Sequence, residues 1–176
     1  MRASFCAVVA LGLWASVCAA QCKPDPALLA KSAAILERLD SLPHGIDVVH
    51  DPAAAKARLW DHKPYNFQWA YATQVAASTG AVTVLEFGSF VWSDDRWVFA
   101  NYSGEPFSAT DFSEWYSCPG AELVEGKTFV DPHNWTGGAD LRPGRMMWYY
   151  IGTDQQGRQV KGTSVVQTLA EVVKEP

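Results

Sequence analysis

Residues 51–77 read DPAAAKARLWDHKPYNFQWAYATQVAA, and a change of period inside this stretch decides how the fold is drawn. From Tyr65 the period is two: Tyr65, Phe67, Trp69, Tyr71, Thr73 and Val75 project one way, and Asn66, Gln68, Ala70, Ala72 and Gln74 the other. That alternation predicts a half-buried strand. Upstream, Asp51-Pro52 has the form of a helix start. The Asp side chain can accept first-turn amides, and a proline at the first helical position lacks an N–H that would be unpaired anyway. Ala53–Trp60 (AAAKARLW) is therefore expected as a short helix.

The same Asp-Pro start recurs at Asp25-Pro26. It opens DPALLAKSAAILERLDSL, where Leu28, Ile35, Leu39 and Leu42 recur at helical spacing until Pro43.

Downstream of the strand, Ser78-Thr79-Gly80 reads as a turn into a second strand, Ala81–Trp92, which returns through Ser93-Asp94-Asp95 as a third, Arg96–Tyr102. Three successive strands make a meander. If Asp94-Asp95 is a two-residue loop, Trp92 lies opposite Trp97, Phe90 opposite Phe99 and Val91 opposite Val98; a three-residue loop would break this aromatic ladder. SATDFSEWYSC (108–118) reads as a short helix capped by Ser108 or Thr110, and Pro119–Gly144 as irregular chain with one strand at Thr128–Val130. RMMWYYIGT and RQVKGTSVV form a closing hairpin around Asp154–Gly157. The expected fold class is α+β: an antiparallel sheet of about five or six strands, meander plus C-terminal hairpin, packed with two N-terminal helices and one short central helix.

Residues 1–20 have the layout of a secretory signal peptide: Arg2, an apolar run from Phe5 to Val17, then Ala19 and Ala20. Cleavage after Ala20 would leave residues 21–176 as a single globular α+β domain, exported to the periplasm or the medium, with no transmembrane segment. The net charge of −5 becomes −6, because Arg2 is lost with no acid. Cations and anions are scattered, which argues against nucleic acid or an anionic membrane as the main partner, since both need a basic face. Cys22 and Cys118 survive cleavage and are expected to form one disulfide; otherwise Cys118 is a free thiol.

The mature chain carries an excess of rings: Trp60, Trp69, Trp92, Trp97, Trp115, Trp135 and Trp148, with Tyr149-Tyr150 following the last. Each buried indole needs a partner for its N–H, so some rings are expected at a surface. Trp92, Trp97, Trp135, Arg142, Trp148 and Tyr150 form the candidate binding surface, together with the irregular stretch 131–144.

The first reading is a non-enzymatic exported binding protein whose partner is another envelope or extracellular macromolecule. A second is a glycan-binding module with Trp and Tyr platforms. A third is a small enzyme or metal-binding protein using Glu86, the His44/His50/His62 cluster or a free Cys118. The histidine spacing imposes no convergence, and no catalytic motif or cofactor fingerprint is present, so no cofactor is expected. Asn101 (NYSG) and Asn134 (NWTG) are formal glycosylation acceptors.

Overall fold

The computed structural model describes residues 25–173. Helix α1 (Pro26–Ser41) starts as its sequence requires, with Asp25 accepting the Ala27 amide at 2.9 Å. Strands β1 (Ile46–Asp51), β2 (Ala54–His62), β3 (Tyr65–Ala77), β4 (Val82–Ser93) and β5 (Arg96–Phe99) follow. Next come β6 (Phe107–Ser108), helix α2 (Ala109–Trp115), a single 3₁₀ turn at Pro119–Ala121, β7 (Glu122–Leu123), β8 (Thr128–Gly138), β9 (Gly144–Asp154) and β10 (Gln159–Val172). Residues 1–24, which include the stretch expected to act as a signal and Cys22, and residues 174–176 lie outside the described residues.

All ten strands belong to one mixed sheet. From one edge it runs β8, β3, then β2 and β1 end to end, β10, β9 and β4, with the short β5, β6 and β7 sharing the far side of β4. Pairing is antiparallel throughout these strands except between β2 and β10, which run parallel. The expected α+β arrangement is thus overturned: the protein is mostly β, with α1 and α2 its only α-helices among the described residues.

Three local corrections explain the difference. Ala53–Trp60 is not a helix, because Ala55 and Ala57 face the interior at period two while Lys56 and Arg58 face out. Alanine suits either period, so the helical reading rested on propensity alone, and pairing with β3 and β10 overrides it. Leu59 stays 75% exposed, as no amphipathic helix packed on a domain would leave it.

The meander is also absent. β3 and β4 are not paired; β1 and β2, β10 and β9 stand between them. The third correction is β8, which extends far beyond the expected Thr128–Val130 and converts most of the stretch 131–144 into strand.

The sheet is curled, since β8 and β4 line one cleft although five strand spacings separate them along the sheet, and the short connection from Ala77 to Val82 agrees. Its five Cα–Cα steps reach at most about 18 Å. In a flat sheet, the four strand spacings from β3 to β4 already separate them by about 19 Å. Curling brings the β3 wall round to face the β4 wall and creates two faces. The concave face holds the larger core, including Trp69, Tyr71, Phe87, Phe112, Trp148 and Tyr150. On the convex face, Leu39 of α1 packs with Phe90, Phe99, Tyr149 and Ile151.

Side-chain bonds fix α1 there: Ser32 Oγ accepts the Phe99 amide at 2.9 Å, and Arg38 pairs with Glu86 at 3.0 Å. The ladder at 87–102 forms in the two-residue-loop register, Phe90 opposite Phe99 and Trp92 opposite Trp97. Asp94 and Asp95 have φ of 50° and 58°, the left-handed pair that a type I′ hairpin demands and that aspartate tolerates.

Candidate functional site

One wall of the candidate site is β8. Tyr71 pairs with Asn134 and Thr73 with Asp131, so Pro132 and His133 together oppose the single residue Ala72. This is a β-bulge, and it sits where Pro132 could not have donated to the ladder. Among the described residues β8 pairs only with β3, so the proline's missing donor falls on an edge strand. The Asp131 carboxylate pins the bulge by accepting the His133 amide at 2.9 Å. Both Asp131 and Asn134 consequently turn inward and are buried.

The facing wall comes from β4, the segment after β5, and α2. Asn101 is the fastener: its Oδ1 accepts the Ser89 amide at 2.8 Å and the Ser89 hydroxyl at 3.1 Å, and its Nδ2 donates to the Glu105 carbonyl. Ser108 and Asp111 form a reciprocal capping box that starts α2 and so places Trp115, whose ring lies 4.7 Å from that of Phe107. Tyr102, 83% exposed, stands at the rim. Met146 and Trp148 of β9 make the floor.

Between these walls lies a cleft of about 500 Å³. Rings of Tyr65, Tyr102, Trp115, Trp135 and Trp148 line it, with Ser89, Asn101, Asp131, His133 and Asn134 supplying the polar groups. Among the described residues no Lys or Arg contributes to the lining. Burial pushes the Asp131 carboxyl above the ordinary aspartate value, against the opposing pull of the His133 amide and ring. A second cleft of about 460 Å³ adjoins the first through Val91, Thr136, Gly137 and Met146, and carries Arg142 and Arg145.

Behind the cleft the interior is polar as well as aromatic. Asn134 Nδ2 donates to Thr73 Oγ1 at 2.8 Å, and Thr73 Oγ1 lies 3.1 Å from His50 Nδ1. Burial lowers His50 to about 4, so its ring is neutral at pH 7. The hydroxyls of Tyr116 and Tyr150 are 2.6 Å apart, and burial raises both far above the ordinary phenol value.

The residues singled out from sequence do not form one surface. Trp92 and Trp97 pair edge to face at 5.1 Å on the convex side, with the Arg145 guanidinium 4.3 Å over Trp92. Trp135 is exposed at the cleft rim, its ring 4.7 Å from Trp60. Arg142 belongs to the adjoining cleft, Trp148 is only 5% exposed, and Tyr150 is fully buried.

The remaining candidates are scattered. Glu86 faces α1 and is paired with Arg38. His44 bonds to Asp47 at the surface, His50 is interior, and His62 stacks on Trp60 at 5.0 Å. Among the described residues no three His, Cys, Asp or Glu side chains converge on a metal position. Cys118 is buried, burial raises its thiol, and Sγ donates to the Glu122 carbonyl at 3.3 Å. Its expected partner Cys22 lies outside the described residues.

Sequence reading missed Asp131, Asn101, Ser89, Tyr102 and Trp115 as a set. One local signal was available: Phe129 and Asp131 share a period-two face, so a carboxylate follows an apolar residue into the interior. The fold and site together define a curled mixed β-sheet domain with an aromatic-walled cleft on its concave face. Comparison with protein-family models, with curated proteins and with solved structures found no match for this chain.

Proposed function

We propose that this is an exported binding protein that captures a small organic molecule in the cleft between β8 and β4. One observation carries the reading: a concave site of about 500 Å³ with ring-lined walls and a few converging polar side chains. That volume and composition are those of small-molecule sites, which bury most of an apolar body and orient it through a few fixed polar groups. Export rests on the N-terminal segment. No helix among the described residues is long and apolar enough to cross a membrane.

The cleft supports a small ligand better than the macromolecular partner or glycan platform expected from sequence. Trp60 stacks with His62 at 5.0 Å and with Tyr65 at 6.1 Å, so outside the cleft these rings engage one another rather than standing as an open row, and of the three only Tyr65 lines the cleft. No bond-making step is assigned, since Glu86, the three histidines and Cys118 stand apart from the cleft.

The test is a metabolite screen by thermal shift and tryptophan fluorescence, run on mature protein and on Ala100→Phe, which fills the cleft from its lining. Ligands that stabilise the parent and not Ala100→Phe are expected. A screen without hits, or hits indifferent to Ala100→Phe, would overturn the reading. N-terminal sequencing of exported protein should begin at Gln21.

A further inference from the structure

Asp131 is the anomaly of the cleft. It is 8% exposed, whereas Glu86, Glu105 and Glu171 meet Arg38, Lys31 and Lys56 at more open positions. Asp131 has no ion-pair partner among the described residues, and no Lys or Arg lines its cleft. Its one hydrogen bond is from the His133 amide to Oδ1.

Holding the bulge does not account for the charge, because the neutral amide oxygen of asparagine would accept the same N–H. A largely buried carboxylate with no Lys or Arg beside it is costly unless something offsets the charge; Oδ1 is taken by the His133 amide, the protonatable His133 ring pulls in the same sense, and Oδ2 is left for whatever occupies the cleft. The cleft that Asp131 lines is also lined by Tyr65, Tyr102, Trp115, Trp135 and Trp148, aromatic rings of the kind whose faces attract positive charge.

We infer that the ligand of this cleft is an organic cation: an ammonium or quaternary ammonium group set against Asp131, on an apolar body lying among the rings. This rests on the cleft being a binding site and names the chemistry it selects. Both features act in the same sense. The carboxylate supplies the opposite charge, and the rings tolerate an alkylated ammonium that cannot donate hydrogen bonds. A neutral saccharide would use the rings and leave Asp131 unpaired; an organic anion would be repelled.

Three probes with one ring in common separate these cases: benzyltrimethylammonium, benzyl alcohol and benzoate, titrated calorimetrically at low salt into mature protein and into Asp131→Asn. The cation is expected to bind about tenfold more tightly than the alcohol, with benzoate weakest. Asp131→Asn should bring the cation to about the alcohol's affinity and leave the alcohol unchanged. Alcohol or benzoate binding as tightly as the cation would overturn the inference and leave the cleft as a binding site. So would a cation affinity indifferent to Asp131→Asn, or no binding by any of the three; in that last case the metabolite screen decides separately whether the cleft binds anything. If Asp131→Asn fails to fold, the ranking of the three probes on the parent still decides.

Discussion

The indole N–H of Trp148 donates to the hydroxyl oxygen of Tyr71 at 2.8 Å, and that hydroxyl donates in turn to the Met146 sulfur at 3.3 Å. The chain of contacts ties β9 to β3 across the concave face, directly beneath the cleft floor. Tyr71→Phe keeps the ring and strands the indole N–H in a buried site. It should lower stability by about 1–3 kcal/mol, the cost of an unsatisfied buried donor. Urea unfolding monitored by tryptophan fluorescence measures it; an unchanged midpoint would mean the indole finds water.

On the convex face, Phe99 is buried between Phe90 and α1, and its amide bonds to Ser32. Phe99→Ala should cost about 3–5 kcal/mol, as large-to-small core changes do. Unfolding in denaturant reads the loss directly. A surface ring would leave the midpoint where it was.

His50 predicts an acid-side loss of stability. Its folded value is about 4 against an ordinary 6.5, so as the pH falls the unfolded chain takes up the proton first. Stability present above pH 6.5 is therefore lost as pH falls toward 4, by about 3 kcal/mol in all. Asp131, whose carboxyl is raised, works in the opposite sense, its protonation favouring the folded state. The clean comparison is His50→Asn, which retains a side-chain atom for Thr73 to meet. Its stability should vary less than the parent's across this window, as read by chemical denaturation at each pH.

Neither sequon presents a free amide. Asn134 Nδ2 is committed to Thr73 while its Oδ1 accepts the Trp135 amide, and Asn101 is committed to Ser89 and Glu105. Folded protein secreted from a glycosylating host should have the unmodified mass. Any glycosylated fraction should be unfolded by circular dichroism.

Gly162 lets β1 close against β10. A Cβ there would lie 2.2 Å from the Ile46 carbonyl oxygen, which is backbone and cannot swing aside. Gly162→Ala should destabilise by about 3 kcal/mol or more, visible as a lowered melting temperature or insoluble expression.

Part of the local pattern was legible: α1 from its cap and apolar spacing, β3 from its alternation, and α2 from a cap at Ser108 or Thr110, whereas the Asp94-Asp95 loop left two registers open and the structure selects the two-residue one. Each depends on residues within a few positions of one another, where side-chain period and capping chemistry act. The strand at Ala54–His62 could not be read, because alanines at 55 and 57 satisfy both periods and only the presence of β3 and β10 on either side selects one.

Nor could the cleft be read. Asp131 and Asn101 stand on separate segments of the chain, and they line one cleft only because the sheet curls. The amino-acid sequence by itself determined which segments bury a face and where the chain turns, since those follow from local patterns of polarity. Tertiary structure alone decided which strands are neighbours, and hence that the rings divide between two cores and one open site. Strand partners are chosen by the collective burial of both faces, a property no single stretch carries.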